Sequence, residues 1–167
     1  ERRPTVAIVG TRKPTAYGKE VTHQLAFDLA KRGVVIVSGL ALGVDGIAHR
    51  AALEAKGTTI AVLANGLSRL HPATHRSLAI DILANNGALI SEYDDEETAR
   101  VYRFLERNRI VSGISDAIII TEASSRSGTL NTAAHALEQG REVFVVPGNI
   151  TSPLSSGCNA LIKQGAL

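Results

Sequence analysis

The chain has 167 residues, 44% of them hydrophobic, with 18 Lys+Arg against 16 Asp+Glu and a formal net charge of +2. That length suits one domain with a real core, and the near-neutral balance excludes a polycation, so nucleic-acid binding needs basic residues gathered locally. A single cysteine, Cys158, excludes an internal disulfide and fits a reducing, cytoplasmic setting, and no apolar run approaches the ~18 residues of a membrane span.

In chain order the pattern predicts β at 5–10, helix at 17–32, β at 34–37, helix at 43–55, β at 59–63 and helix at 73–85. It continues with β at 88–91, helix at 100–112, β at 117–121, helix at 129–139, β at 142–146 and a short helix near 158–164. The first helix carries a stripe of Tyr17, Val21, Leu25 and Leu29, one every four residues, and Gly33 ends it. Strands apolar on both faces, alternating with helices, predict an α/β, three-layer Rossmann-like fold: a mostly parallel sheet with helices on both faces. One domain over 1–167 is expected. The abrupt start at Glu1-Arg2-Arg3-Pro4 and the absence of Met suggest excision from a longer protein. No signal peptide is visible. Asp94-Asp95-Glu96-Glu97 reads as a solvated acidic loop.

Three strands run into loops of Gly, Ser and Thr followed by helices. They are Gly10-Thr11-Arg12, Ser38-Gly39-Leu40-Ala41-Leu42-Gly43 and Ser124-Ser125-Arg126-Ser127-Gly128-Thr129. In a parallel sheet these loops share the carboxyl edge, where such folds bind ligands. Glycine allows close backbone approach, and helix N-termini attract anions. A phosphate-binding surface is the expectation.

Two common phosphate sites are excluded. A dinucleotide site needs Gly-x-Gly-x-x-Gly and an acidic residue ending the second strand. Here Arg12 replaces the second Gly and the strand ends in Ser38-Gly39. Gly18-Lys19 is followed by Glu20, so no ATPase-type loop exists. Arg12, Lys13, Arg107, Asn108 and Arg109 are suited to phosphate oxygens and base edges, although Arg107 and Arg109 alone read as surface charges. Asp45 and His49, four apart, share a helix face, as metal ligands or an acid–base pair do. A dipole-stabilised Asp and a hydrogen-bonded His is the stronger reading. Glu92 and Glu122 follow strands, as a general base or as backbone caps. Cys158 reads as a small buried residue rather than a nucleophile. His71 and His75 receive no role.

Together these stretches resemble the DNA-processing protein A family (DprA, also called Smf) over essentially the whole length. The matching segments are Val9-Gly10-Thr11-Arg12, Ser38 to Asp45 with Ala48-His49, Arg107 to Gly113, Ser127-Gly128-Thr129 with Thr132-Ala133, Val146-Pro147-Gly148 and Ser156 to Ile162. The resemblance implies a single-stranded DNA-binding module, without catalytic activity or cofactor, that helps load the recombinase RecA in natural transformation and forms a homodimer. It implies nucleic-acid contacts at Gly10, Thr11, Arg12, Ser38, Gly39, Asn65, Gly66, Arg107, Asn108, Arg109, Ser127, Gly128 and Thr129. The chain departs from the family where Leu67-Ser68, His71-Pro72 and His75 stand after Gly66. It departs again at Tyr93 to Glu97, and where Leu105 stands in place of the usual Phe-Pro.

Low aromatic content, 4%, points to a backbone-led pocket rather than a long stacking platform. The alternative is a nucleotide-binding enzyme or sensor related to nucleoside monophosphate phosphoribohydrolases, marked by Pro-Gly-Gly-x-Gly-Thr followed by acids. Ser127-Gly128-Thr129-Leu130 keeps only Gly-Thr, and Asn131 and Thr132 stand where carboxylates belong.

Overall fold

Strands and helices alternate from end to end in the computed structural model, which describes residues 2–167. The elements are β1 (Thr5–Val9), α1 (Ala16–Lys31), β2 (Val35–Ser38), α2 (Val44–Glu54), β3 (Thr59–Val62), α3 (Arg76–Ala84), β4 (Ala88–Ile90), α4 (Val101–Gly113), β5 (Ala117–Ile120), α5 (Thr129–Glu138), β6 (Glu142–Val145) and α6 (Ser156–Lys163). The α/β class is as expected, and every predicted element is present. The predicted helix at 73–85 divides into a 3₁₀ turn at Ala73–His75 and α3.

The sheet order is β4-β3-β2-β1-β5-β6, and each neighbouring pair is parallel. The chain builds outward from β1 to β4, then α4 carries it back across to β5 on the other side of β1. With right-handed crossovers, that reversal sends successive helices to opposite faces. Side-chain alternation records the result. Ile8, Ile36 and Ile119 pack with Ala26 and Ala30 of α1 and Val44, Ala48, Ala51 and Ala52 of α2. Ala7, Val9, Val37, Val62, Ile118 and Ile120 pack with Val111 of α4, Ala133 and Ala136 of α5 and Cys158 of α6. Each fully buried Ile or Val contributes about 1.5–3 kcal/mol. The reversal places a crevice at the carboxyl ends of β1 and β5, where open α/β sheets take ligands.

Two expectations need correction, and a third needs an addition. The buried line of α1 is Gly18, Thr22, Ala26 and Ala30 rather than the predicted stripe, and Tyr17 is exposed. Small residues let the helix approach α2 and the sheet closely, so Val21, Leu25 and Leu29 flank the contact half-buried. The edge strand β6 is covered on one face only, leaving Glu142 and Phe144 exposed. The acidic loop is solvated as expected, with Asp94, Asp95 and Glu96 exposed, and its backbone is also tied down. Gly66 N donates to Glu97 O (2.8 Å), Ser68 N donates to Asp95 O (3.0 Å), and Glu97 pairs with Arg103 (2.8 Å).

Candidate nucleic-acid interface

The β1–α1 and β2–α2 loops pack backbone against backbone at the crevice. Thr11 N donates to Glu122 O (2.7 Å) and Val44 N to Thr11 O (3.1 Å). Gly43 has φ +75, and a Cβ there meets the Arg12 carbonyl at 2.5 Å, so only glycine fits. This packing leaves the Arg12 side chain exposed at the mouth of a cleft of about 320 Å³. Gly10, Thr11, Asp45, Phe104, Arg107, Asn108, Ser127, Gly128 and Thr129 also line it.

Arg107 enters the cleft floor from α4 and is only 4% exposed. Its Nη1 donates to Gly39 O (2.7 Å) and Val62 O (2.5 Å), joining the ends of β2 and β3. A Cβ at Gly39 meets that Nη1 at 2.5 Å, so the guanidinium lies directly against the glycine. Asp45 Oδ2 accepts from Gly39 N (2.9 Å) and Ala41 N (3.4 Å) of the same loop. Burial raises the Asp45 pKa, opposed by the Arg107 charge and these amides. Burial likewise lowers that of Arg107, and Asp45 opposes the shift. The two side chains bond opposite sides of Gly39, its carbonyl and its amide, and so organise the loop beneath the cleft.

Phe104 supplies what sequence reasoning missed. The Arg12 guanidinium carbon lies 4.9 Å from its ring centroid and that of Arg107 5.9 Å. The His71 ring meets it edge-on at 5.8 Å. Two guanidiniums against one ring is a cation–π arrangement, and a flat face at a cleft mouth suits a nucleobase. The available signal was spacing: Phe104 precedes Arg107 by one helical turn and shares its face. The departure to His71 also falls here.

The remaining sequence-predicted residues divide. Asn108 Nδ2 donates to Asn131 Oδ1 (3.2 Å) and Gly128 O (3.4 Å), tying α4 to the loop before α5. Ser127 Oγ accepts from Thr129 N (3.2 Å), so Ser127, Gly128 and Thr129 turn the N-terminus of α5 toward the cleft. Ser38 is buried, its Oγ donating to Ile8 O (2.7 Å). Asn65 is buried too, its Nδ2 donating to Arg69 O (2.8 Å) and Gly66 O (3.0 Å). Gly39 and Gly66 are likewise buried. Arg109 lies outside the cleft, paired with Glu92 beside Tyr93 and Glu106.

At all three helix N-termini expected at this edge, protein groups take up amides, those of α5 being bonded to Ser127 and Gly128. Glu122 accepts from Thr15 Oγ1 (2.5 Å) and Thr15 N (2.9 Å), while Thr15 caps α1. The Thr11 carbonyl accepts from Val44 N at the start of α2, while Asp45 holds the loop that precedes it. The other candidate groups are also engaged. Burial holds the His49 pKa down to about 3. Thr59 Oγ1 gives its proton to Ile36 O (2.7 Å), so it accepts from His49 Nδ1 (2.7 Å) and the ring proton sits there. Asp45 and His49 thus serve different partners. Burial pushes the Cys158 thiol up to about 11. No cluster of three metal-ligating side chains occurs among the described residues.

A family model described as DNA recombination-mediator protein A matches residues 1–167. The chain belongs to that family. It is 50% identical over 162 residues to Protein Smf of Escherichia coli, covering 97% of this chain and 43% of that protein. The structure of DNA processing protein A from Streptococcus pneumoniae superposes with a TM-score of 0.90 at 40% identity, covering 98% of this chain and 57% of the other. That of Helicobacter pylori DNA processing protein A, described with a unique single-stranded DNA binding mode, gives 0.89 at 40% identity, covering 98% and 74%. The chain therefore spans about half the length of the curated relatives it matches. The family resemblance read from the sequence is correct, and membership makes this a domain of DNA-processing proteins. No helix among the described residues is long and apolar enough to cross a membrane.

Proposed function

We propose that this domain binds single-stranded DNA in the cleft between the β1 and β5 ends, with Arg12 as its phosphate ligand and Phe104 as its base platform. One observation carries the reading: an exposed guanidinium stacked on an aromatic ring, above a floor holding a second, buried guanidinium. Gly10, Thr11, Ser127, Gly128 and Thr129 form the walls, and Asn108 fixes their spacing. Ser38, Gly39, Asn65, Gly66 and Arg107 act from behind by holding the loops. Arg109 acts outside the cleft.

The domain acts by binding rather than catalysis. Asp45, Glu92 and Glu122, the candidate carboxylates, are each committed to protein partners. In the whole protein the bound strand is passed to RecA in natural transformation, in the cytoplasm. This rests on family membership and on the homologue described with a single-stranded DNA binding mode. A homodimer fits the exposed Leu137, Phe144 and Leu167 near the β6 edge. Competition between single-stranded and duplex oligonucleotides of one sequence tests the central claim. Preference for the single strand is expected, and equal affinity overturns it. AMP in the same competition tests the nucleotide-sensor alternative.

A further inference from the structure

A second depression of about 510 Å³ lies beside the cleft, lined by Leu67, Arg69, His71, Arg76 and Thr98 among others. We propose that it holds the phosphodiester backbone of the same single strand where that strand leaves the cleft. This inference rests on the DNA-binding reading above and adds a direction: the strand crosses the carboxyl edge from β1 toward β3 and β4.

Continuity is the first support. His71 lines this groove, and its ring touches Phe104, which lines the cleft. The groove is built on the loop after β3, two strand spacings or ~10 Å from β1. Charge is the second. Arg76 is exposed and, among the described residues, has no acidic group within ion-pair distance. It is also the first residue of α3, where the helix dipole disfavours a cation. Helix stability therefore does not account for it, and its free guanidinium at a helix start suits an external anion. Arg69 holds Glu96 at 2.8 Å, with side chains 57% and 70% exposed. A pair so open has little net energy, so a phosphate can exchange for Glu96 at little cost. Leu67 is 44% exposed and offers an apolar surface to a sugar or base.

The test uses labelled oligothymidylates of graded length, from about four to about sixteen nucleotides, the range of single-strand grooves. Arg76→Gln is expected to leave affinity for the shortest oligomer unchanged. It should weaken the longest several-fold and cut its salt slope by about one. Arg12→Ala should weaken every length. A length-independent response to Arg76→Gln, or none, overturns the extension while leaving the cleft reading intact. Absence of any oligonucleotide binding by the parent protein, or indifference to Arg12→Ala, overturns the cleft reading itself. His71→Ala, on the shared wall, should weaken both short and long oligomers, and an unchanged affinity for both breaks the claimed continuity.

Discussion

The guanidinium of Arg107 donates to the carbonyl oxygen of Gly39 at 2.7 Å, across the gap between α4 and the end of β2. Val62 O is its second acceptor, and Asp45 is its counter-charge. Removing the guanidinium leaves two buried carbonyls without a donor, at about 1–3 kcal/mol each. Arg107→Met is therefore expected to destabilise the fold by about that much. Urea unfolding measures it, and a loss below about 1 kcal/mol contradicts the structural role.

Arg12 is expected to behave in the opposite way. It is exposed and holds no loop together, so Arg12→Ala should leave the unfolding midpoint nearly unchanged. Binding of single-stranded DNA should weaken by about 1.5–3 kcal/mol, the range for hydrogen bonds to charged groups. The slope of log K against log salt should fall by about one. An unchanged slope in a folded variant places Arg12 outside the footprint.

Phe104→Ala is expected to cost about 1–3 kcal/mol of binding, the worth of one base–aromatic stack. Since the Arg12 guanidinium lies 4.9 Å from the ring, its own placement depends on Phe104. The double variant should lose less than the sum of the two single losses. Strict additivity in the cycle shows that ring and guanidinium act independently.

The alternation of strand and helix was legible because apolar runs, Gly stops and loop chemistry all agree along the chain. The fate of each arginine was not. Arg107 and Arg109 stand two positions apart in one helix, about 200° apart around its axis. One is buried beneath the cleft and the other pairs with Glu92 outside it. Helix phase relative to the sheet decides this, and phase is set by long-range packing. Loop chemistry showed the same limit. Ser38 looked like a ligand-facing hydroxyl, but it closes a hydrogen bond inside the sheet. Aromatic content was low in total, yet one Phe stands at the cleft mouth; composition carries no positions.

His49 should shape the acid limb of stability. Its pKa is about 6.5 unfolded and about 3 folded, because burial disfavours the charged ring. The unfolded chain therefore binds the extra proton between those values. Stability from this group is present above pH 6.5 and is lost as pH falls toward 3. At 1.36 kcal/mol per pKa unit the loss reaches at most about 5 kcal/mol. His49→Leu is expected to flatten this limb while lowering the plateau, since Thr59 loses its donor. An acid limb unaltered in that variant removes His49 as its source.

Glu122 separates the binding reading from the enzymatic alternative. A hydrolase acting on nucleoside monophosphates needs a carboxylate free to move a proton near the ribose bond. Glu122 stands at a strand end, but its two oxygens accept from Thr15 N and Thr15 Oγ1, and it is 3% exposed. It fixes the start of α1 and, through that helix, the loop carrying Arg12. Glu122→Gln keeps the shape and one acceptor, so it should cost about 0.5–2 kcal/mol, the scale of a lost helix cap. Purified protein should release no free base from AMP, with or without the substitution. Release that disappears in Glu122→Gln, while unfolding stays unchanged, makes this carboxylate catalytic and the cleft an enzyme's. A stability loss with no release in either protein assigns Glu122 to the loop scaffold that presents Arg12 to DNA.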